Sequence, residues 1–124
     1  MNDLDNKLKV IKIENYIWLI YIGIIVLSYY SNYLEKDYFI NKNNKSKEKY
    51  RKTLIIIFSV LVIIYSYFFI DSVSDIKNIY KYSKDKKNLV LLSSLASLLV
   101  LISGIIFLYI SYKDENIDVE IAFN

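Results

Sequence analysis

Three stretches of this chain carry no charge at all. NYIWLIYIGIIVLSYYSNYL fills residues 15–34, TLIIIFSVLVIIYSYFFI fills 53–70, and NLVLLSSLASLLVLISGIIFLYISY fills 88–112. A helix rises about 1.5 Å per residue, so roughly 20 residues cross a hydrocarbon core of about 30 Å. All three runs reach that length, the second only just. Strands are usually shorter, and a strand open to lipid would leave backbone donors and acceptors unpaired. A water-soluble bundle would need other elements to cover faces that are apolar all round. The remaining residues are too few and too polar for that. The pattern predicts an all-α integral membrane protein, a single membrane domain over residues 1–124 with three transmembrane helices.

The flanks refine this outline. Leu4, Leu8 and Ile11 recur at helical spacing in the N-terminal block. They predict a short amphipathic lead-in that lies at the interface or continues the first helix. Val73, Ile76 and Tyr80 predict that the second helix runs past the membrane surface. Between the spans lie a basic loop at 35–52 and a second polar loop at 71–87. An acidic tail at 113–124 ends on NIDVEIAF. That ending alternates like a strand but has no strand to pair with, so it reads as a flexible tail or as a segment that docks on another protein. The first span does not look like a removable signal peptide: its apolar core is too long and no small-residue cleavage site follows.

Aromatic residues collect at the span ends. Tyr16, Trp18 and Tyr21 open the first span, and Tyr29, Tyr30 and Tyr33 close it. Tyr50 precedes the second, Tyr65, Tyr67, Phe68 and Phe69 crowd its end, and Tyr109 and Tyr112 end the third. Rings with one polar atom favour the headgroup level.

Charge enters next, because it decides sidedness. The chain has 124 residues with 16 Lys and Arg against 13 Asp and Glu, a net charge of +3. That balance is too even to imply an anionic macromolecule. Lys42, Lys45, Lys47, Lys49, Arg51 and Lys52 nevertheless crowd into KNNKSKEKYRK, directly before the second span. Translocating such a cluster is disfavoured, so the loop is expected on the cytoplasmic side of the cell membrane, close to anionic lipid. A nucleic-acid groove would interleave several aromatics with the cations on a folded platform, and Tyr50 alone does not supply one. No nucleic-acid partner is expected.

The wider count gives only a weak orientation. Three spans put the N-terminus and the second loop on one side with eight cations, and the first loop and tail on the other, also with eight. The density of the first loop favours an outside N-terminus. A tie of this kind also suits a chain that inserts both ways and pairs antiparallel. Asn44-Lys45-Ser46 forms a glycosylation triplet, a pattern frequent by chance.

Candidate chemistry is sparse. The sequence holds neither histidine nor cysteine, which removes disulfides, thiolates, imidazole bases and the usual zinc and haem ligands. No ionisable residue other than tyrosine lies inside a span, which argues against ion-coupled transport. Asp71 and Asp75, one turn apart, are the one carboxylate pair with metal-like spacing, and a helix end grading into solvent explains them better. No enzyme activity, cofactor or metal is expected.

What remains is packing. On the third span Ser93, Ala96, Ser97, Ser103, Gly104 and Ser111 fall within about a third of the helix circumference at 100° per residue. A stripe of small residues lets another helix approach closely. Ser59 and Ser66, seven apart on the second span, offer a mate, and Gly23 a close contact on the first. These residues point to a small accessory or immunity-type protein that works by helix packing, with the lipid bilayer and another membrane protein or a second copy as partners. The alternative is an oligomeric pore former, holin-like or a passive channel for small solutes.

Overall fold

The computed structural model describes residues 2–119, and side chains from Leu4 onward. Three α-helices carry nearly all of it: α1 over Asn2–Asn41, α2 over Asn44–Ile76 and α3 over Lys84–Lys113. A single 3-10 turn, Ile79–Lys81, stands between α2 and α3. No strand occurs among the described residues. The strand-like alternation is therefore absent over 116–119, and the rest of that segment lies outside the described residues.

Each helix is longer than its uncharged run. At about 1.5 Å per residue, α1 measures about 60 Å, α2 about 50 Å and α3 about 45 Å. All three are long and apolar enough to cross a membrane. The excess comes from what the sequence lacks. There is no proline, and both glycines sit within the apolar runs, so nothing breaks the helix where charge begins. The N-terminal lead-in accordingly continues α1 instead of forming a separate element.

The same reason corrects the basic loop. Most of 35–52 is helical, and only Lys42 and Asn43 separate α1 from α2. Lys42 adopts φ 53°, the left-handed conformation that often ends a helix. Asn43 then caps α2: its side-chain oxygen accepts from the Lys45 amide at 3.0 Å, and its carbonyl from the Lys47 amide at 3.2 Å. Ser83 caps α3 through its side chain and its carbonyl, which accepts from Lys87 N at 2.9 Å.

Two compact units divide the chain, one running to Thr53 and the other beginning at Leu54. Although Leu34 on α1 and Thr53, Phe58 and Ser72 on α2 are also buried, each helix carries a line of covered positions at alternating three- and four-residue steps. On α1 they are Val10, Glu14, Ile17, Tyr21, Ile24, Ser28 and Ser31. On α2 they are Tyr50, Leu54, Ile57, Leu61 and Ile64, and on α3 Ser94, Ser97, Leu101, Gly104, Leu108 and Ser111. This is the spacing of helices that pack knobs into holes at about 20°. Tyr50 lies on such a line and is buried, so it is a packing residue and not part of an aromatic belt.

Candidate functional site

Two places combine unusual side chains with defined geometry. One is the packing seam of the second unit, the other the basic turn of the first.

The seam joins α2 to α3. Phe58, one of the most deeply buried side chains, meets Phe107 with ring centroids 5.5 Å apart. Nine residues back from Lys113, Gly104 is buried against α2. A Cβ built there would stand 2.9 Å from Tyr65 Cδ2, 3.2 Å from Tyr65 Cε2 and 3.4 Å from Val62 Cγ2. Any side chain here would force the Tyr65 ring or the helix to shift, since the ring occupies the place of the first side-chain carbon. Gly23 on α1 differs: nothing lies within 4 Å of its Cβ position, so the close contact expected there is absent.

The small-residue stripe on α3 is only partly used. Ser97, Gly104 and Ser111 fall on the covered line, while Ser93, Ala96 and Ser103 are exposed. Ser94, outside the predicted stripe, is buried instead. The covered line is rotated by about 60° toward Ser94, Leu101 and Leu108 at 100° per residue. Its mate on α2 is also different: the atoms nearest Gly104 belong to Tyr65 and Val62, and Ser59 and Ser66 are half-buried beside them in sequence. A large ring set into a glycine notch replaces the expected meeting of small residues.

The hydroxyls on these helices turn back on their own backbone. Ser66 donates to Val62 O at 2.8 Å, Ser97 to Ser93 O at 3.0 Å, Ser103 to Leu99 O at 2.9 Å and Ser111 to Phe107 O at 2.9 Å. Such bonds satisfy the hydroxyl proton without water or a partner helix. This is why small polar residues can face either inward or outward here.

At the turn between α1 and α2, Asp37 acts as the hub. Its carboxylate accepts from Asn41 Nδ2 at 2.7 Å, from Asn43 Nδ2 at 3.0 Å and from the Ser46 hydroxyl. Asp37 lies beyond the first uncharged run. The Ser46 bond first, and then the Asn41 and Asn43 bonds, hold its pKa below the usual carboxylate value. A depressed pKa means that the stabilisation is present above the ordinary carboxylate range and is lost as pH falls through it and below. Asp37→Ala is expected to speed exchange of the Lys45 and Lys47 amides at neutral pH. The difference from the parent should vanish in acid, and an equal difference at both extremes would refute the hub.

The cations distribute around this turn unequally. Lys47 lies over the Tyr38 ring, 5.4 Å from its centroid. Arg51 is half-buried, whereas Lys42, Lys45, Lys49 and Lys52 are exposed. Ser46, the third residue of the glycosylation triplet, is buried by its bond to Asp37.

Elsewhere, Asp71 is half-buried at the end of the second apolar run, with Asp75 exposed one turn on. Among the described residues no three acidic, histidine or cysteine side chains gather in a way that could hold a metal. After α3, the Asp114 carboxylate accepts from Asp118 N at 3.0 Å and Val119 N at 2.7 Å, folding the start of the tail back on the helix end.

The sequence carried no signal for the Asp37 hub, because its partners come from both sides of a turn that reads as a loop. The Gly104 notch was visible as a glycine, but its occupant was not. Comparison with protein families, curated proteins and solved structures finds no match to this chain.

Proposed function

We propose that this chain is a multi-pass protein of the cell membrane, without catalytic chemistry of its own, that acts by packing against another membrane protein or a second copy of itself. One observation carries the reading. Large apolar side chains point outward on all three helices, with Trp18, Ile25 and Ile63 each about two-thirds exposed, while α3 covers Ser94, Gly104 and Ser111. Water would select the reverse arrangement. Lipid tolerates it, because packing between helices in a bilayer is favoured by small residues and close contact.

The partner surface in this reading is the edge of α3 that α2 leaves open, at Ser93, Ala96 and Ser103. The density of cations in the turn between α1 and α2 supports a cytoplasmic position for it. A pore former would use the same open edge, with Ser93 and Ser103 turned to a water-filled path.

Reconstitution separates these readings. Vesicles carrying the protein are expected to retain a small entrapped dye, and crosslinking through the Ala96 edge is expected to trap a membrane partner or a second copy. A leak abolished by Ser103→Leu would favour the pore, and a chain that crosslinks to nothing would remove the packing role. Sidedness is best read from a single cysteine at Asn44, which is exposed, and not at the buried Ser46. The native chain has no cysteine to interfere.

A further inference from the structure

We propose that the outer face of α2 seats one anionic phospholipid, its phosphate on Lys45, Lys49 and Lys52 and its acyl chain along Ile56 and Ile63. The inference rests on the membrane placement proposed above and names a ligand for it.

The six cations from Lys42 to Lys52 do not form a uniform cloud. Lys47 is engaged over Tyr38 and Arg51 is half-buried, so the inner side of the helix takes two of them. Lys45, Lys49 and Lys52 stand at i, i+4 and i+7, all exposed, within about 60° of arc on the opposite side. Glu48 flanks this ridge and offsets one charge, which leaves it net cationic. From Lys45 to Lys52 the helix climbs about 10 Å, and Lys52 directly precedes the apolar run. The headgroup layer on each side of a bilayer is roughly 5–8 Å deep. That rise slightly exceeds the headgroup depth, so the flexible stems of Lys45 and Lys52 bend toward Lys49 to bring the three ammonium groups to one phosphate.

Below the hydrocarbon border the same face continues without a break in register. Ile56 follows Lys52 by four residues, and Ser59 and Ile63 follow by three and four more. Ile56 and Ile63 are exposed, with the small, half-buried Ser59 between them. One helix face thus presents cations at phosphate depth and, directly beneath, an apolar track with a shallow dip. That order of chemistry matches a phospholipid with a negative headgroup. A free phosphate or an acidic soluble protein would use the upper half alone.

The full-length chain, purified from mixed vesicles of phosphatidylcholine and phosphatidylglycerol, tests this by native mass spectrometry of the retained lipid. The parent is expected to keep phosphatidylglycerol over phosphatidylcholine. Each lysine lost from the ridge should weaken that preference about fivefold. The combined Lys45→Gln, Lys49→Gln and Lys52→Gln variant should therefore show none. Removing the same charge from α1 by Lys7→Gln, Lys9→Gln and Lys12→Gln should leave the preference intact. Equal loss in both variants, or no preference in the parent, overturns the lipid site. Flotation with vesicles of phosphatidylcholine alone keeps the two claims separate. A chain that does not float defeats the membrane reading itself, whereas one that floats but selects no anionic lipid defeats only this inference.

Discussion

Gly104→Ile is expected to lower the stability of the micelle-embedded protein by about 3 kcal/mol, the upper end of what overpacking usually costs. The first carbon of any side chain at this position meets the Tyr65 ring at 2.9 Å and Val62 at 3.4 Å. Three more carbons have nowhere to go unless α3 moves off α2. Gly104→Ala is the milder case. Its clash is offset in part by the roughly 1 kcal/mol by which alanine exceeds glycine as a helix former. A net loss of about 1 kcal/mol is expected. Gly23→Ala provides the contrast, since open space surrounds that position. It should be neutral or stabilising by up to about 1 kcal/mol. Thermal unfolding in detergent measures all three. The ring contact itself is tested by adding Tyr65→Ala to Gly104→Ile: the double variant should be more stable than the sum of the two single losses predicts, because the space vacated by the ring accepts the isoleucine. Strict additivity would mean that the two positions do not touch.

The existence and order of the three helices were legible because a long uncharged run is a signal that hardly depends on context. Helix ends were not. Charge marks where the bilayer stops, whereas helix formation stops only where the backbone is interrupted, and between 35 and 52 the interruption is two residues long. Packing was legible in kind but not in direction. Ser97, Gly104 and Ser111 are covered and Ser93, Ala96 and Ser103 are not, although all six are small and lie on one broad arc. In lipid, a serine whose hydroxyl bonds to its own helix has little preference for inside or outside, so composition alone cannot locate the seam. The register of the opposing helix decides it, through the side chains of Phe58, Val62 and Tyr65. The aromatic belt shows the same limit: Tyr109 and Tyr112 are exposed, but Tyr50 is drawn into the covered line of α2 by its spacing from Leu54 and Ile57.

Ile63→Lys carries the second large effect, and its sign separates a membrane protein from a soluble one. Ile63 lies near the middle of the second uncharged run and is 69% exposed. If water surrounded this helix, exchanging an exposed isoleucine for lysine would cost little, as surface substitutions usually change stability by no more than about 0.5 kcal/mol. It would also improve solubility. If lipid surrounds it, the ammonium group must be brought to the bilayer centre at about 2.5–3.5 kcal/mol on insertion scales. Part of that figure already allows for the side chain snorkelling toward the interface. The second span is the shortest of the three, with 18 residues, and has the least apolar length in reserve to absorb the change. Insertion into microsomal or bacterial membranes is therefore expected to fall by a factor on the order of 100, while Lys45→Ile, which removes a charge at the headgroup level, should leave the efficiency of span insertion unchanged. Equal insertion of the Ile63→Lys variant and the parent, together with a folded variant in plain buffer, would mean that the outward-facing apolar residues are covered by protein and not by lipid.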